Sequence, residues 1–225
     1  MNGILIVDKP SGLTSHDIVD IIRKKFRVKK AGHAGTLDPM ATGLLLILVG
    51  SYTKLSNTFL NSDKSYEGVM TLGAVSDTLD ADGKVSPTGA AIPVESLSIE
   101  EAFKKFTGPI EQKPPMFSAV KIKGKKLYEL ARRGEVVDVK PRPVVIKEFK
   151  LISFDGNDVR FSVACSKGTY IRQLVSDVGS ALGCGAYLTA LRRTRSGDFL
   201  VENGHTLNAI KDWSSEAFES HLVSV

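Results

Sequence analysis

The sequence predicts an α+β domain around a largely antiparallel sheet. Two observations carry this. Strand-like segments are mixed along the chain with segments whose apolar residues recur at helical spacing. And "VVIKEFKLISF" and "DVRFSVAC" flank an Asp155-Gly156-Asn157 turn, the signature of an antiparallel hairpin. The 225 residues suit one domain with room for an elaborate insertion, and 42% hydrophobic composition is ordinary for a globular core.

In chain order, "GILIVDKP" is an opening strand that ends at Pro10. "TSHDIVDIIRKKF" reads as a helix with Ile18, Ile21, Ile22 and Phe26 on one face and Thr14 or Ser15 as its cap. "LLLILV", residues 44 to 49, is a fully buried strand, and "YEGVMTLG" is another strand. "SDTLDADGKVS" lacks the spacing and closing Glu of a calcium loop and reads as a plain loop with an Asp82-Gly83 turn. "SIEEAFKKFTG" predicts a helix with a Ser98/Glu101 capping box, ended by Gly108. Residues 113–143, bracketed by prolines and rich in Lys and Arg, form an excursion from the sheet. After the hairpin, where Val159, Phe161, Val163 and Cys165 alternate, "SKGTY" turns into a helix carrying Ile171, Leu174, Val175, Val178 and Leu182.

Bulk properties remove several function classes. No apolar run approaches the roughly 20 residues of a membrane-spanning helix, so no membrane partner is expected. The N-terminus lacks the pattern of a signal peptide. Cys165 and Cys184 have no CxxC spacing and no His nearby, which predicts reduced thiols in a cytoplasmic protein. The formal net charge of +5 is concentrated in clusters. "RKKFRVKK", residues 23 to 30, holds six cations in eight positions, "KIKGKK" adds Lys121, Lys123, Lys125 and Lys126, and "ARRG" and "LRRTR" add five arginines. Any one cluster reads first as a solvated helix end; four together point to a phosphate backbone.

The candidate reactive group lies in "HAGTLDPMATG", residues 33 to 43. One acid, Asp38, sits among small residues directly before the buried strand. An Asp-Pro turn is often only a turn. Here the strand behind gives the loop the rigid base that a positioned nucleophile needs.

Four motifs, "GHAGTLDPMATGLL", "SDKSYEG", "KGKKLYELAR" and "CSKGTYIRQL", together resemble bacterial tRNA pseudouridine synthases of the type that modifies uridine 55 in the T-loop. The resemblance runs from about Gly3 to Phe199 and is loose beyond Val201. It implies the pseudouridine synthase fold, 1–225 as one catalytic domain, and 113–143 as a thumb-like RNA-binding insertion. Many family members add a small RNA-binding PUA domain at the C-terminus, which this chain is expected to lack. The resemblance makes Asp38 the nucleophile and Arg172 the cation that keeps it ionised. Tyr66 stacks on the flipped base, with its hydroxyl a candidate for taking the C5 proton, and Tyr170 closes the pocket, with Leu188 and Leu191 as apolar wall. His33 inserts into the T-loop, Lys9 and Lys64 touch RNA or brace the site, and Lys121, Lys123, Lys125 and Lys126 meet phosphates. The implied partner is the T-arm of tRNA, bound by a monomer, with no metal and no cofactor, since the reaction is an isomerisation. Two other readings fit the same residues: an RNA-binding or tRNA-folding protein with secondary or no catalysis, and a glycosylase that uses Asp38.

Overall fold

A computed structural model describes residues 1–92, 95–118, 120–122, 124–135 and 137–224. The chain divides into two compact units, Met1–Glu67 with Leu191–Val225, and Gly68–Ala190. The second interrupts the first in sequence.

The first unit begins with β1 (Gly3–Lys9), α1 (Ser15–Phe26), β2 (Ala31–His33) and β3 (Thr42–Val49). A 3-10 turn and the short α2 (Ser56–Leu60) lead to β4 (Lys64–Leu72), which runs on into the second unit. β12 (Ala186–Ser196) returns the chain to the first unit, followed by β13 (Phe199–Leu200), β14 (His205–Thr206), α6 (Leu207–Asp212) and α7 (Ser215–Ser220). Strands pair in the order β14-β1-β3-β12. β1 and β3 are antiparallel from Gly3↔Val49 to Lys9↔Gly43, and β12 runs parallel to the start of β3. As predicted, every residue from Leu44 to Val49 is buried. α1 is capped at Thr14 by a reciprocal box with Asp17. Its buried face is Ile18, Val19, Ile22 and Phe26; Ile21, expected on that face, is half exposed. Phe26 stacks on Phe218 of α7, centroids 4.0 Å apart.

The second unit contains β5 (Ala74–Ser76) and β6 (Val85–Pro87), α3 (Ser96–Lys105) and β7 (Gly108–Gln112). Next come β8 (Lys121–Ile122), β9 (Lys125–Lys126) and α4 (Leu127–Ala131), then β10 (Arg142–Asp155), β11 (Asp158–Cys165) and α5 (Ile171–Ala181). The order here is β12-β4-β11-β10-β7, with β10 antiparallel to both β11 and β7. The predicted hairpin closes at Asp155↔Asp158 on a two-residue loop. Its first residue, Gly156, takes φ +59, where a type II′ turn places glycine. The four alternating residues of β11 are buried as expected. One reading is corrected. α3 starts at Ser96 after Glu95, without a side-chain cap, so Ser98 lies inside the helix instead of capping it. Burial of Ile99, Ala102 and Phe103 holds the helix without that box. The acidic stretch is a loop, residues 77–84 joining β5 to β6, and it buries Asp80.

Phe103 stacks on Phe149 at 3.7 Å, and Phe161 meets both rings edge-on. Phe161 is fully buried. Phe161→Ala removes an edge-on partner from both rings and leaves a cavity. It should lower unfolding free energy by about 3–5 kcal/mol, read as the shift in urea midpoint at unchanged m.

Candidate active site

The loop between β2 and β3 is held by its backbone. Each carbonyl from Gly35 to Met40 accepts a hydrogen bond. Arg193 Nη2 donates to Gly35 O at 3.1 Å and Nη1 to Thr36 O at 3.4 Å. Ser15 Oγ, at the start of α1, donates to Leu37 O and accepts from Leu37 N. Asp38 O takes the amide of Ala41, closing the turn. Pro39 O takes both the Gly12 amide at 2.9 Å and Lys9 Nζ at 3.2 Å, and Met40 O takes Ser11 Oγ. Asp38 itself is half buried. Two glycines make this route possible. Gly35 has φ +97, and Gly43 has φ +95 with the Arg193 carbonyl where a Cβ would stand.

Arg193 is 2% exposed, and its Nε also donates to Leu44 O at 2.7 Å. Sequence counted it among cations for phosphate. Its neighbour Arg192 forks onto Asp8 at 2.8 and 2.9 Å. Of "LRRTR", only Arg195 is an exposed cation.

Lys9 is fully buried at the end of β1, and its ammonium donates to Pro10 O, Leu13 O and Pro39 O. Burial pushes its pKa down to about 8, partly offset by attraction to Asp38 and Asp17. Lys64 braces in the same manner, donating to Phe59 O, Leu60 O and Ser62 O. His33 ends β2 with Nδ1 buried and without a hydrogen bond; burial, with Arg193 and His16 nearby, lowers its pKa. Tyr66 is half buried on β4, and Leu191 lies buried in β12.

In the second unit Arg172 is 6% exposed in the first turn of α5. It lies 3.2 Å from Asp80 and donates to Thr78 O and Phe117 O. Asp80 is itself held by Thr78 Oγ1 and the Asp82 amide. Tyr170, half buried, precedes α5; the buried Gln112 side chain grips its backbone, donating to its carbonyl and accepting from its amide. Leu188 is fully buried, its amide bonded to Leu79 O. Sequence reasoning missed Asp80, Gln112 and Ser15, and no local signal marks them. In the excursion, Leu127, Leu130 and Val139 pack with Met116, Val120 and Val137. Lys121 and Lys126 pair across β8 and β9 and Lys125 is exposed; Lys123 lies outside the described residues.

The model of the TruB family pseudouridylate synthase N-terminal domain matches residues 23–171, and that of the tRNA pseudouridylate synthase B C-terminal domain matches 172–225. The chain belongs to the TruB family. The second match also covers the stretch beyond Val201, where the sequence resemblance was loose. A tRNA pseudouridine synthase B of Protochlamydia amoebophila is 52% identical over 224 residues, covering 99% of this chain and 84% of the relative. One from Opitutus terrae is 44% identical, covering all of this chain and 93% of the relative. Among solved structures, a chain from a Cbf5-Nop10-Gar1 complex superposes with TM-score 0.75 at 32% identity. That match covers 98% of this chain and 57% of the other. This chain has the α+β pseudouridine synthase fold. Among the described residues, no helix is long and apolar enough to cross a membrane.

Arg193→Met strands the carbonyls of Gly35, Thr36 and Leu44. It should destabilise the fold by about 1–3 kcal/mol in urea, chiefly through the buried Leu44 carbonyl left without a donor, since Gly35 and Thr36 can turn to water. Lys9 sets a pH dependence. Between about pH 8 and 10.5 the unfolded chain holds a proton that the folded chain has released, so stability rises with pH in that window. Urea midpoints of wild type minus Lys9→Met should be flat below about pH 8 and climb above it; a fall above pH 8 would refute the burial of a depressed lysine.

Proposed function

We infer that this chain is a tRNA pseudouridine synthase, an RNA-modifying isomerase, and propose that its target is uridine 55 in the T-loop. The observation that carries this is Asp38: one carboxylate on a turn whose carbonyls from residue 35 to residue 40 are all bonded, in a chain that belongs to the TruB family. A turn so constrained presents its side chain in one place, as a nucleophile requires.

In the proposed reaction the target uridine is flipped out of the RNA. Asp38 attacks the ribose carbon as its bond to N1 breaks, the base turns over, and C5 bonds to that carbon as the bond to Asp38 breaks, which returns the carboxylate. C5 loses a proton and N1 gains one, so atoms balance and no electrons are exchanged. Tyr66 stacks on the base and takes the C5 proton through its hydroxyl, Tyr170 closes the pocket, and Arg172 favours ionised Asp38. Leu188 and Leu191 supply apolar wall, and His33 fills the space left in the T-loop. Lys9 and Lys64 act as braces for the loop and for β4. The excursion closes over the T-arm, with Lys121, Lys123, Lys125 and Lys126 on its phosphates.

Asp38→Asn keeps the shape of the turn and removes the nucleophile. Tritium release from 5-tritiated uridine in tRNA should fall to background, while filter binding of the same RNA persists. Arg172→Ala should lose most turnover. Tyr66→Phe should bind well and turn over slowly if the hydroxyl takes the proton. Wild-type release by Asp38→Asn would exclude this aspartate and leave an RNA-binding protein; joint loss of binding and release would make the loop structural.

A further inference from the structure

The four basic clusters of the sequence are not alike in the fold. Arg192 is neutralised by Asp8 and Arg193 is buried, whereas Arg23, Lys24, Lys25, Arg27, Lys29 and Lys30 are all exposed. Only Arg23 has an acidic partner among the described residues, Asp20 at 3.7 Å, and Lys25 lies over the Phe26 ring. The helix dipole accounts for cations in the last turn of α1, Arg23 to Lys25; Lys29 and Lys30 lie beyond it.

The backbone of Arg27 is the second observation. It closes α1 in the left-handed conformation, φ 52 and ψ 36, with its amide on Arg23 O. Glycine is usual there because any Cβ crowds the following carbonyl oxygen, and asparagine is tolerated because its side chain bonds locally. Among the described residues the only other non-glycine with positive φ is Leu79, beside the Asp80 that meets Arg172. Arg27 therefore puts an exposed guanidinium at a backbone position that glycine would relax. From Lys30 the chain passes through β2, whose three residues span about 10 Å, to His33 and the Asp38 loop.

We propose that the exposed cations from Lys24 to Lys30 form a second phosphate-binding surface, which grips the backbone of the substrate RNA beside the loop that holds Asp38. This rests on the reading of the chain as a tRNA-modifying enzyme. Five unpaired cations within seven residues match the dense charge of a duplex stem, whose phosphates bring about one charge per 1.7 Å of helix axis. Such contacts position the RNA and carry no sequence information.

The test is filter binding of unmodified tRNA transcript between about 50 and 200 mM salt, beside tritium release. The variants are Lys24/Lys25/Lys29/Lys30→Ala and, separately, Arg27→Gly and Arg27→Ala. Each lost phosphate contact should flatten the plot of log K against log salt by about 0.7–0.9, or about threefold less affinity lost over that range. The fourfold variant should lose at least two contacts and Arg27→Gly one. Arg27→Gly should melt about 2–4 °C above Arg27→Ala, through relief of the left-handed strain, while both bind RNA equally weakly. Unchanged slopes in all variants, with tritium release intact, overturn the surface and leave the isomerase reading standing. Flattened slopes in a protein that releases no tritium keep the surface and overturn the isomerase reading. Retention of the variants' RNA affinity together with loss of binding to phosphatidylserine vesicles would assign the patch to an anionic lipid surface and overturn the proposal.

Discussion

The structure around Asp38 depends on the satisfaction of one short run of backbone carbonyls. From Gly35 to Met40 each has a donor, and the donors come from β1, the turn after it, the start of α1 and β12, besides the loop's own Ala41 amide. A loop of small residues would otherwise sample many conformations. Fixing its carbonyls holds the backbone of Asp38 in one conformation. The carbonyl dipoles also gather two cations, Arg193 and Lys9, under the turn. Lys9 feels the Asp38 carboxylate, and the attraction is mutual. Lys9 therefore both braces the loop and attracts its carboxylate.

Position in the fold decides what a cation does here. Arg193, Lys9 and Lys64 have exchanged water for three carbonyls each and work as internal fasteners. Arg172 is buried too, but its guanidinium meets Asp80 as well as carbonyls, so its plane is set by a charged partner. The cations from Lys24 to Lys30 keep their water. A count of basic residues cannot separate these roles, because "LRRTR" and "RKKFRVKK" look equivalent until β12 buries one and α1 exposes the other.

Much of the scaffold was legible. The helical spacing of α1 and α5, the apolar run of β3 and the Gly156 turn are local patterns, and local patterns survive into the fold. The Asp38 loop was legible for the same reason: small residues, one acid and a buried strand are contiguous. What stayed hidden is long-range. Ser15 reaches Leu37 across 22 residues, Gln112 reaches Tyr170 across 58, and Arg193 reaches Gly35 across 158. No periodicity announces such bonds. Asp80 was lost in an acidic stretch whose composition says solvent, although its burial is matched by Arg172. The Ser98 box failed because packing of Ile99 and Phe103 carried the helix past the point where local chemistry would have started it.

The 158-residue reach of Arg193 has a consequence for how the protein comes into being. At the ribosome's pace of roughly 5–20 residues per second, the Asp38 loop waits about 8–30 seconds after its own synthesis for the guanidinium that fastens it. The whole second unit is made in that interval. A nascent chain thus carries the Asp38 loop for most of its synthesis without the bonds that fasten it, and the loop is completed only when β12 arrives.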